Sequence, residues 1–355
     1  VSRSISILVA DIGTGKDALP QFLVEKNGAW QDCGCGSKDL DLSDVHVKLA
    51  ATLEKLMTAV DEDPTRDVVA SLAKGCGTLY EKLLPEKLRT LLEQAANDTT
   101  EPSTIRLHCG EKFDWIPWEL LKDKSDFLSI RFQMARLPIS PSVPDLDEEK
   151  PREVSTIDNL IGSGVFQNGS PLLTEWQATF APPAHIRHRV KTDATFNDVR
   201  QALVDDVLHL TCHGAYDEED TKYYWTMNPA DPLGSLNGID KDFIAGQRLQ
   251  NGRPLVFANA CAHTGKLGGL VSGLGRELFS SGAQNTIGAL ARISQRVAIP
   301  FAQKFYAHLL GNNEPIGLAL CNTKREFHTG ATDPSHLFYC LYGPPGSRFE
   351  YVPST

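Results

Sequence analysis

Two residues of this chain carry nucleophilic and acid–base chemistry at the ends of apolar runs. The run Val207-Leu208-His209-Leu210-Thr211-Cys212-His213-Gly214 closes on His213, and Pro254-Leu255-Val256-Phe257-Ala258-Asn259-Ala260-Cys261-Ala262-His263 places Cys261 48 residues after it. A thiolate attacks a carbonyl carbon, and a histidine within reach takes the proton and returns it to a leaving group. That pairing is the chemistry of a cysteine peptidase. Each run is short, rich in Val, Leu and Phe, and bounded by Gly or Pro, which reads as a buried parallel strand rather than a helix. Ligands of an open parallel sheet bind at the carboxyl ends of its strands. If the two strands are neighbours, His213 and Cys261 face one crevice.

The elements that must position them follow from periodicity. Ser4 to Ala10 and Gln21 to Lys26 are strand-like and read as a β-hairpin. Its turn, Asp11-Ile12-Gly13-Thr14-Gly15-Lys16, lacks the glycine spacing of a phosphate loop, and Asp17 stands where that loop has Ser or Thr. From Ser43 to about Gln94 the pattern is helical, with Leu49, Leu53, Leu56, Met57 and Val60 on one stripe, and Pro64 and Pro85 where a proline opens a helix. Thr104 to Cys109 is a strand, and Phe127 to Leu137 reads as one or two more. Pro138 to Lys150, with three prolines and an acidic run, reads as a linker. After it, strands at 157–161, 185–190, 207–213, 254–261 and 286–291 alternate with helices at 174–180, 196–204, 268–281, 296–310 and 315–327. Such alternation specifies an α/β fold with a mostly parallel sheet.

Composition narrows the function classes. The 355 residues allow a large core, in two portions divided as 1–150 and 151–355. A net charge of −10 argues against nucleic-acid binding, which needs a basic face. No apolar run approaches the roughly 20 residues of a membrane span. The opening Val1–Val9 segment reads as a strand rather than a signal peptide, and the missing initiator Met points to processing or excision from a longer product. The eight cysteines are scattered, fitting neither a disulfide framework nor a zinc site, so no metal or other cofactor is expected. A cytoplasmic, reducing setting is expected.

Six segments in order resemble the CHAT family of caspase-like cysteine peptidases, relatives of separase. They are Ile116-Pro117-Trp118-Glu119-Leu120-Leu121 with Arg136-Leu137-Pro138-Ile139-Ser140-Pro141, His209-Leu210-Thr211-Cys212-His213-Gly214, Leu236-Asn237-Gly238-Ile239-Asp240, Asn259-Ala260-Cys261, Gly273–Ala283, and Phe305–Leu309 with Tyr342-Gly343. The His-to-Cys spacing also agrees with that of caspases, but Asn259 and His263 depart from the caspase signature. The resemblance implies a caspase-like, doubly wound, mostly parallel sheet with flanking helices, preceded by the smaller hairpin and helical portion. It implies a cysteine endopeptidase in which Cys261 is the nucleophile and His213 its acid–base partner. The backbone N–H groups of Gly214 and Cys261 would form the oxyanion hole.

Asn259, His263 and Asp217 are the candidate substrate contacts. Basic-specific relatives often carry Asp two positions before the cysteine; Asn259 here is neutral, which removes the strongest argument for an Arg or Lys at the cleavage position. His209 lies on the same side of its strand as His213, where it either supports the site or packs in the core. The resemblance implies a protein substrate, such as a gasdermin-like effector in bacterial antiviral defence or regulated cell death, together with an activating partner. A catalytically silent CHAT-like interaction module is the competing reading. The long polar segment Tyr216–Asn237 beside the crevice reads as a lid or binding element.

Overall fold

A computed structural model describes residues 4–12, 19–26, 28–38, 40–63, 65–97, 101–139, 150–163, 165, 182–217, 222–227, 243–244, 249, 252–260 and 274–353. The strands are β1 (Ser4–Ile12), β2 (Leu19–Lys26), β3 (Ala29–Cys35), β4 (Thr104–Cys109), β5 (Gln133–Pro138), β6 (Arg152–Val154), β7 (Thr156–Ile161), β8 (Arg187–Lys191), β9 (Val207–Asp217), β10 (Lys222–Thr226), β11 (Leu255–Ala260), β12 (Asn285–Ala289), β13 (Tyr339–Tyr342) and β14 (Phe349–Tyr351). Twelve form one sheet in the order β3-β2-β1-β4-β5-β13-β12-β11-β9-β7-β8, with β10 added to β9, while β6 and β14 pair separately.

This sheet is two parallel halves running in opposite directions. β1, β4, β5 and β13 are mutually parallel, and so are β12, β11, β9, β7 and β8; the halves meet where β13 runs antiparallel to β12. The fold is thus α/β with a mostly parallel sheet. The N-terminal hairpin is present and is joined to the same sheet through the parallel pair β1–β4. β11 is buried along its whole length, as its near-continuous apolar sequence requires.

Helices α1 (Leu42–Glu62), α2 (Val69–Leu83) and α3 (Glu86–Asn97) occupy the predicted helical region. Leu53, Met57 and Val60 are buried along the expected stripe. Pro85 directly precedes α3; Pro64 lies outside the described residues. Leu53 and Met57 of α1 and Leu72 and Cys76 of α2 pack into the same core as Phe257, Phe301 and Tyr339. A second core around Phe22, Trp118 and Phe132 serves the N-terminal half.

Three local assignments change. Residues 127–137 are not strand throughout: Leu128–Arg131 is a single helical turn before β5. A short apolar run fits either geometry, and here the side chain of Arg325 bonds the Ile130 carbonyl while Arg131 pairs with Asp123. β3 was not foreseen, because Ala-Trp-Gln-Asp-Cys-Gly-Cys has no alternation and is an exposed edge held by backbone pairing. Residues Tyr223 to Trp225 belong to a strand, β10, rather than a loop, since β9 runs past the parallel sheet and offers them an edge. The 3-10 turn Pro334–Phe338 leads directly into the four-residue β13. The expected helix at 174–180 and most of the 138–150 linker lie outside the described residues.

Arg136 on β5 is 1% exposed, one strand from the seam between the halves. Its guanidinium donates to both Glu119 carboxylate oxygens, at 2.8 and 2.5 Å, and to the Asp114 and Ile116 carbonyls. Burial alone would raise the Glu119 carboxyl, yet Arg136 outweighs it and holds Glu119 below its ordinary range. On the far side, Arg136 accepts a bond from Gly343 N–H and lies over the Tyr342 ring at 5.7 Å. Gly343 has φ +109°, and a Cβ there would meet the Gln284 carbonyl at 2.6 Å, so only glycine closes this turn. Breaking a buried pair leaves an uncompensated charge, which costs roughly 3–5 kcal/mol. Glu119→Gln should therefore lower the denaturant midpoint by a shift of that size, while Arg136→Met with Glu119→Leu should recover much of it.

Helix Phe196–Ala202 leads into β9 and opens with a capping box between Thr195 and Asp198. Burial alone would raise Asp198; bonds from Lys191 and Thr195 bring it down to about 2. A depressed carboxylate stabilises the fold above its unfolded pKa near 4, and that contribution is lost as pH falls toward 2. Asp198→Asn keeps an acceptor but removes the charge. Chemical denaturation should show it about 1–2 kcal/mol less stable at pH 7, with the two proteins converging near pH 2.

Candidate active site

Strands β9 and β11 are neighbours, and they are parallel. Their register pairs Leu255 with Val207, Phe257 with His209, Asn259 with Thr211, and Ala260 with Cys212. Paired residues in a parallel ladder share a face, and the face alternates along each strand. Phe257 and Asn259 thus lie on the face of His209, Thr211 and His213. Cys212 faces the other way and is 4% exposed, a core thiol as expected. The segment carrying Cys261 and His263 lies outside the described residues, which resume at Leu274.

His213 sits where β9 changes partners. Before it, β9 is flanked by β11 and by β7, whose register ends with Ile161 opposite Thr211. From His213 onward β9 pairs with β10, matching His213 with Thr226, Gly214 with Trp225 and Asp217 with Lys222. Beyond the end of β7, Gly162 N–H bonds the Thr211 carbonyl and Ser163 N–H bonds the Met227 carbonyl. β10 therefore continues the track of β7. It walls one flank of His213 with the buried side chains of Trp225 and Thr226. The opposite flank is the side of β11.

Below the crevice the shared face is polar and closed. His209 is fully buried and stacks on Phe257 with ring centroids 4.9 Å apart. Its Nδ1 is 3.1 Å from the Tyr306 hydroxyl and its Nε2 is 3.3 Å from Asn259 Nδ2. Burial pushes the His209 pKa down to about 3, so the ring is neutral at physiological pH. Asn259 is 6% exposed; its Oδ1 accepts from Tyr339 O–H at 2.7 Å, and its Nδ2 donates to the Ala298 carbonyl at 3.4 Å. Tyr306 and Ala298 belong to helix Gln295–Tyr306, and Tyr339 opens β13.

The second end of the Cys261-bearing segment is also anchored. Arg276, in helix Gly275–Ser280, donates to Asp114 Oδ2 at 3.1 Å and to the Cys109 carbonyl at 3.0 Å. Asp114 in turn touches Arg136. Of the residues that sequence reasoning picked out, Asn259 lies one residue before the end of β11, while His213 and Gly214 lie inside β9, which runs on to Asp217 rather than ending at His213. Tyr306, Tyr339 and Arg276 were missed as site supports: each is an ordinary residue of its helix or strand, and nothing local marks its partner. Among the described residues no group of His, Cys, Asp and Glu forms a metal site, and no helix is long and apolar enough to cross a membrane.

Gly162 measures how tightly the His213 flank is built. A Cβ at this position would stand 2.6 Å from the Met227 carbonyl and 3.1 Å from its Cα. Both are backbone, so a side chain must push β10 away from β7. Gly162→Ala should cost about 1–3 kcal/mol in denaturant unfolding, and hydrogen exchange should speed up selectively at β10 amides.

A family model for the CHAT domain matches residues 74–340. Among solved structures, a separase chain from the Saccharomyces cerevisiae separase–securin complex matches with a TM-score of 0.47 and 14% identity, over 76% of this chain and 17% of that one. A second structure of the same complex gives 0.46 and 13%, over 77% and 18%. One described as a protease gives 0.49 and 11%, over 74% and 68%. This chain spans less than a fifth of the length of the separase chains it matches. No curated protein matches the sequence.

Proposed function

The chain belongs to the CHAT domain family, and on that premise we propose that it is a caspase-like cysteine endopeptidase with Cys261 as nucleophile and His213 as proton-transfer partner. The register of β9 and β11 carries the reading. Ala260 pairs with Cys212, and the next residue on each chain is Cys261 and His213. A peptide bond holds consecutive Cα atoms about 3.8 Å apart, and neighbouring strands lie about 4.8 Å apart. That spacing supports the reading, since such sheets bind ligands beyond the carboxyl ends of their strands.

In the proposed mechanism the Cys261 thiolate adds to the scissile carbonyl carbon and the C=O pair moves onto oxygen. The N–H groups of Gly214 and Cys261 receive that oxyanion; one such donor is worth roughly 3 kcal/mol. As the C–N bond breaks, the His213 imidazolium delivers its proton to the departing amine. Water then attacks the thioester, its proton passing to His213, and the acid leaves with the thiol restored. No cofactor is required. The thiol must stay reduced, which suits a cytoplasmic setting.

Asp217 and His263 are proposed to face substrate from the two strand ends. The substrate is proposed to be a dedicated protein partner, a gasdermin-like pore former or another defence effector. That choice rests on the resemblance to CHAT peptidases of regulated cell death. Cleavage is proposed to be gated by an activating partner that orders the segment after β9.

Cys261→Ala removes one sulfur and should leave the melting temperature within a few degrees, while proteolysis falls by at least ~10³-fold. His213→Ala should match it, and the double variant should be no worse than either, because the pair acts as a unit. Labelling with a thiol-reactive peptidyl probe reads this directly. Equal labelling of wild type and Cys261→Ala would refute the assignment and leave the interaction-module reading. Casein should be cut slowly and the dedicated partner at one or two sites.

A further inference from the structure

The face of the sheet beneath the proposed dyad is built as a hydrogen-bonded chain with one proton arrangement. Tyr339 O–H donates to Asn259 Oδ1, which leaves the Asn259 amide N–H groups facing the Ala298 carbonyl and His209 Nε2. An amide nitrogen only donates, so His209 Nε2 is the acceptor and the imidazole proton lies on Nδ1, directed at the Tyr306 hydroxyl. The stacking of His209 on Phe257 holds the ring in that plane. Four elements thus converge on one side chain: β9, β11, β13 and helix Gln295–Tyr306.

Asn259 occupies the position that reads, from the sequence, as a substrate contact. Both its polar atoms are committed within the protein, and the residue is 6% exposed. It is two residues before Cys261 in the sequence and lies on the sheet face of His209 and Thr211. We propose that Asn259 is a positioning residue, clamping the carboxyl end of β11 between Tyr339 and His209 and so fixing the strand end from which the chain continues to Cys261. The proposal rests on the cysteine-peptidase reading. It assigns Asn259 a set of contacts that a carboxylate could not complete, since an acid in its place has no N–H to offer the Ala298 carbonyl. The groups facing that position are His209 from β9, Tyr306 from the helix and Tyr339 from β13. Burial holds His209 down to about 3 and Tyr306 well above its usual value, so neither carries a charge at neutral pH.

The test is the rate of alkylation of Cys261 by iodoacetamide, followed by mass spectrometry on the full chain from pH 5 to 9. The exposed free thiol of Cys35 serves as the internal reference. Asn259→Ala should slow Cys261 alkylation about tenfold relative to Cys35, and Tyr339→Phe should slow it less, in the same direction. The double variant should be no slower than Asn259→Ala, as expected for one coupled unit. Asn259→Asp should change the pH dependence of Cys261 alkylation, because it puts a titratable carboxyl in place of a neutral amide two residues before the thiol. With a peptide library, cleavage-site preference should be unchanged in Asn259→Ala. If that variant alters the preferred residue while Cys261 alkylation stays at the wild-type rate, Asn259 is a substrate contact and the proposal is overturned. It is equally overturned if Tyr339→Phe and Asn259→Asp leave both the rate and the pH profile unchanged; these two variants decide the matter should the alanine variant fail to fold. Wild-type Cys261 reacting no faster than Cys35 would instead count against the peptidase reading itself.

Discussion

The buried guanidinium of Arg136 is the constraint on which the two-part sheet depends. It sits on β5, one strand from the change of direction at β13–β12, and a charge buried there must be fully answered. Glu119 answers it with both oxygens, and the carbonyls of Asp114 and Ile116 take further donors. Those acceptors lie in the stretch around Ile116-Pro117-Trp118-Glu119, so the irregular turn there is shaped to serve Arg136. Asp114 extends the cluster to Arg276, and Lys324 stands fully buried beside Glu119. Burial pushes Lys324 down to about 8, with Glu119 opposing the fall. The cluster therefore reaches from the N-terminal half to the helix that follows the Cys261 segment and to helix Ile316–His328.

The antiparallel seam decides which strand ends can share a crevice. β4 and β5 finish at the opposite edge of the sheet from β9 and β11, because the halves run in opposite directions. Cys109 illustrates the consequence. It also closes an apolar strand, but its thiol is fully buried and burial raises its pKa well above the ordinary value, with Asp114 adding to the effect. Such a thiol carries almost no thiolate and is inert. A cysteine at a strand end is chemistry only where the end opens to solvent and a base stands beside it.

A polar floor under a catalytic crevice is costly unless every group has a partner. His209, Asn259, Tyr306 and Tyr339 meet that requirement with hydrogen bonds whose directions are all determined. The floor is also neutral, so it does not compete electrostatically with the charges that the proposed thiolate and imidazolium develop above it. The same bonds join β11 to β13 and to helix Gln295–Tyr306, linking the strand before the proposed nucleophile to the elements that close the C-terminal half.

Much of this was legible in the residues themselves. The apolar runs ending at His213 and Ala260 could only be buried strands, and the stripe of Leu53, Met57 and Val60 could only be a helix face, because burial periodicity is local. Motif order identified the family, since Glu119, Arg136, His213 and Asn259 stand in segments recognisable one at a time. The tertiary structure alone decided the rest. That Arg136 answers Glu119, that Tyr339 and Tyr306 hold Asn259 and His209, and that β13 separates the halves antiparallel are facts of contact between residues 17 to 97 positions apart. Local pattern records which face of an element is buried. It carries no information on which distant element covers that face, and the partners of a buried polar group are set by that contact.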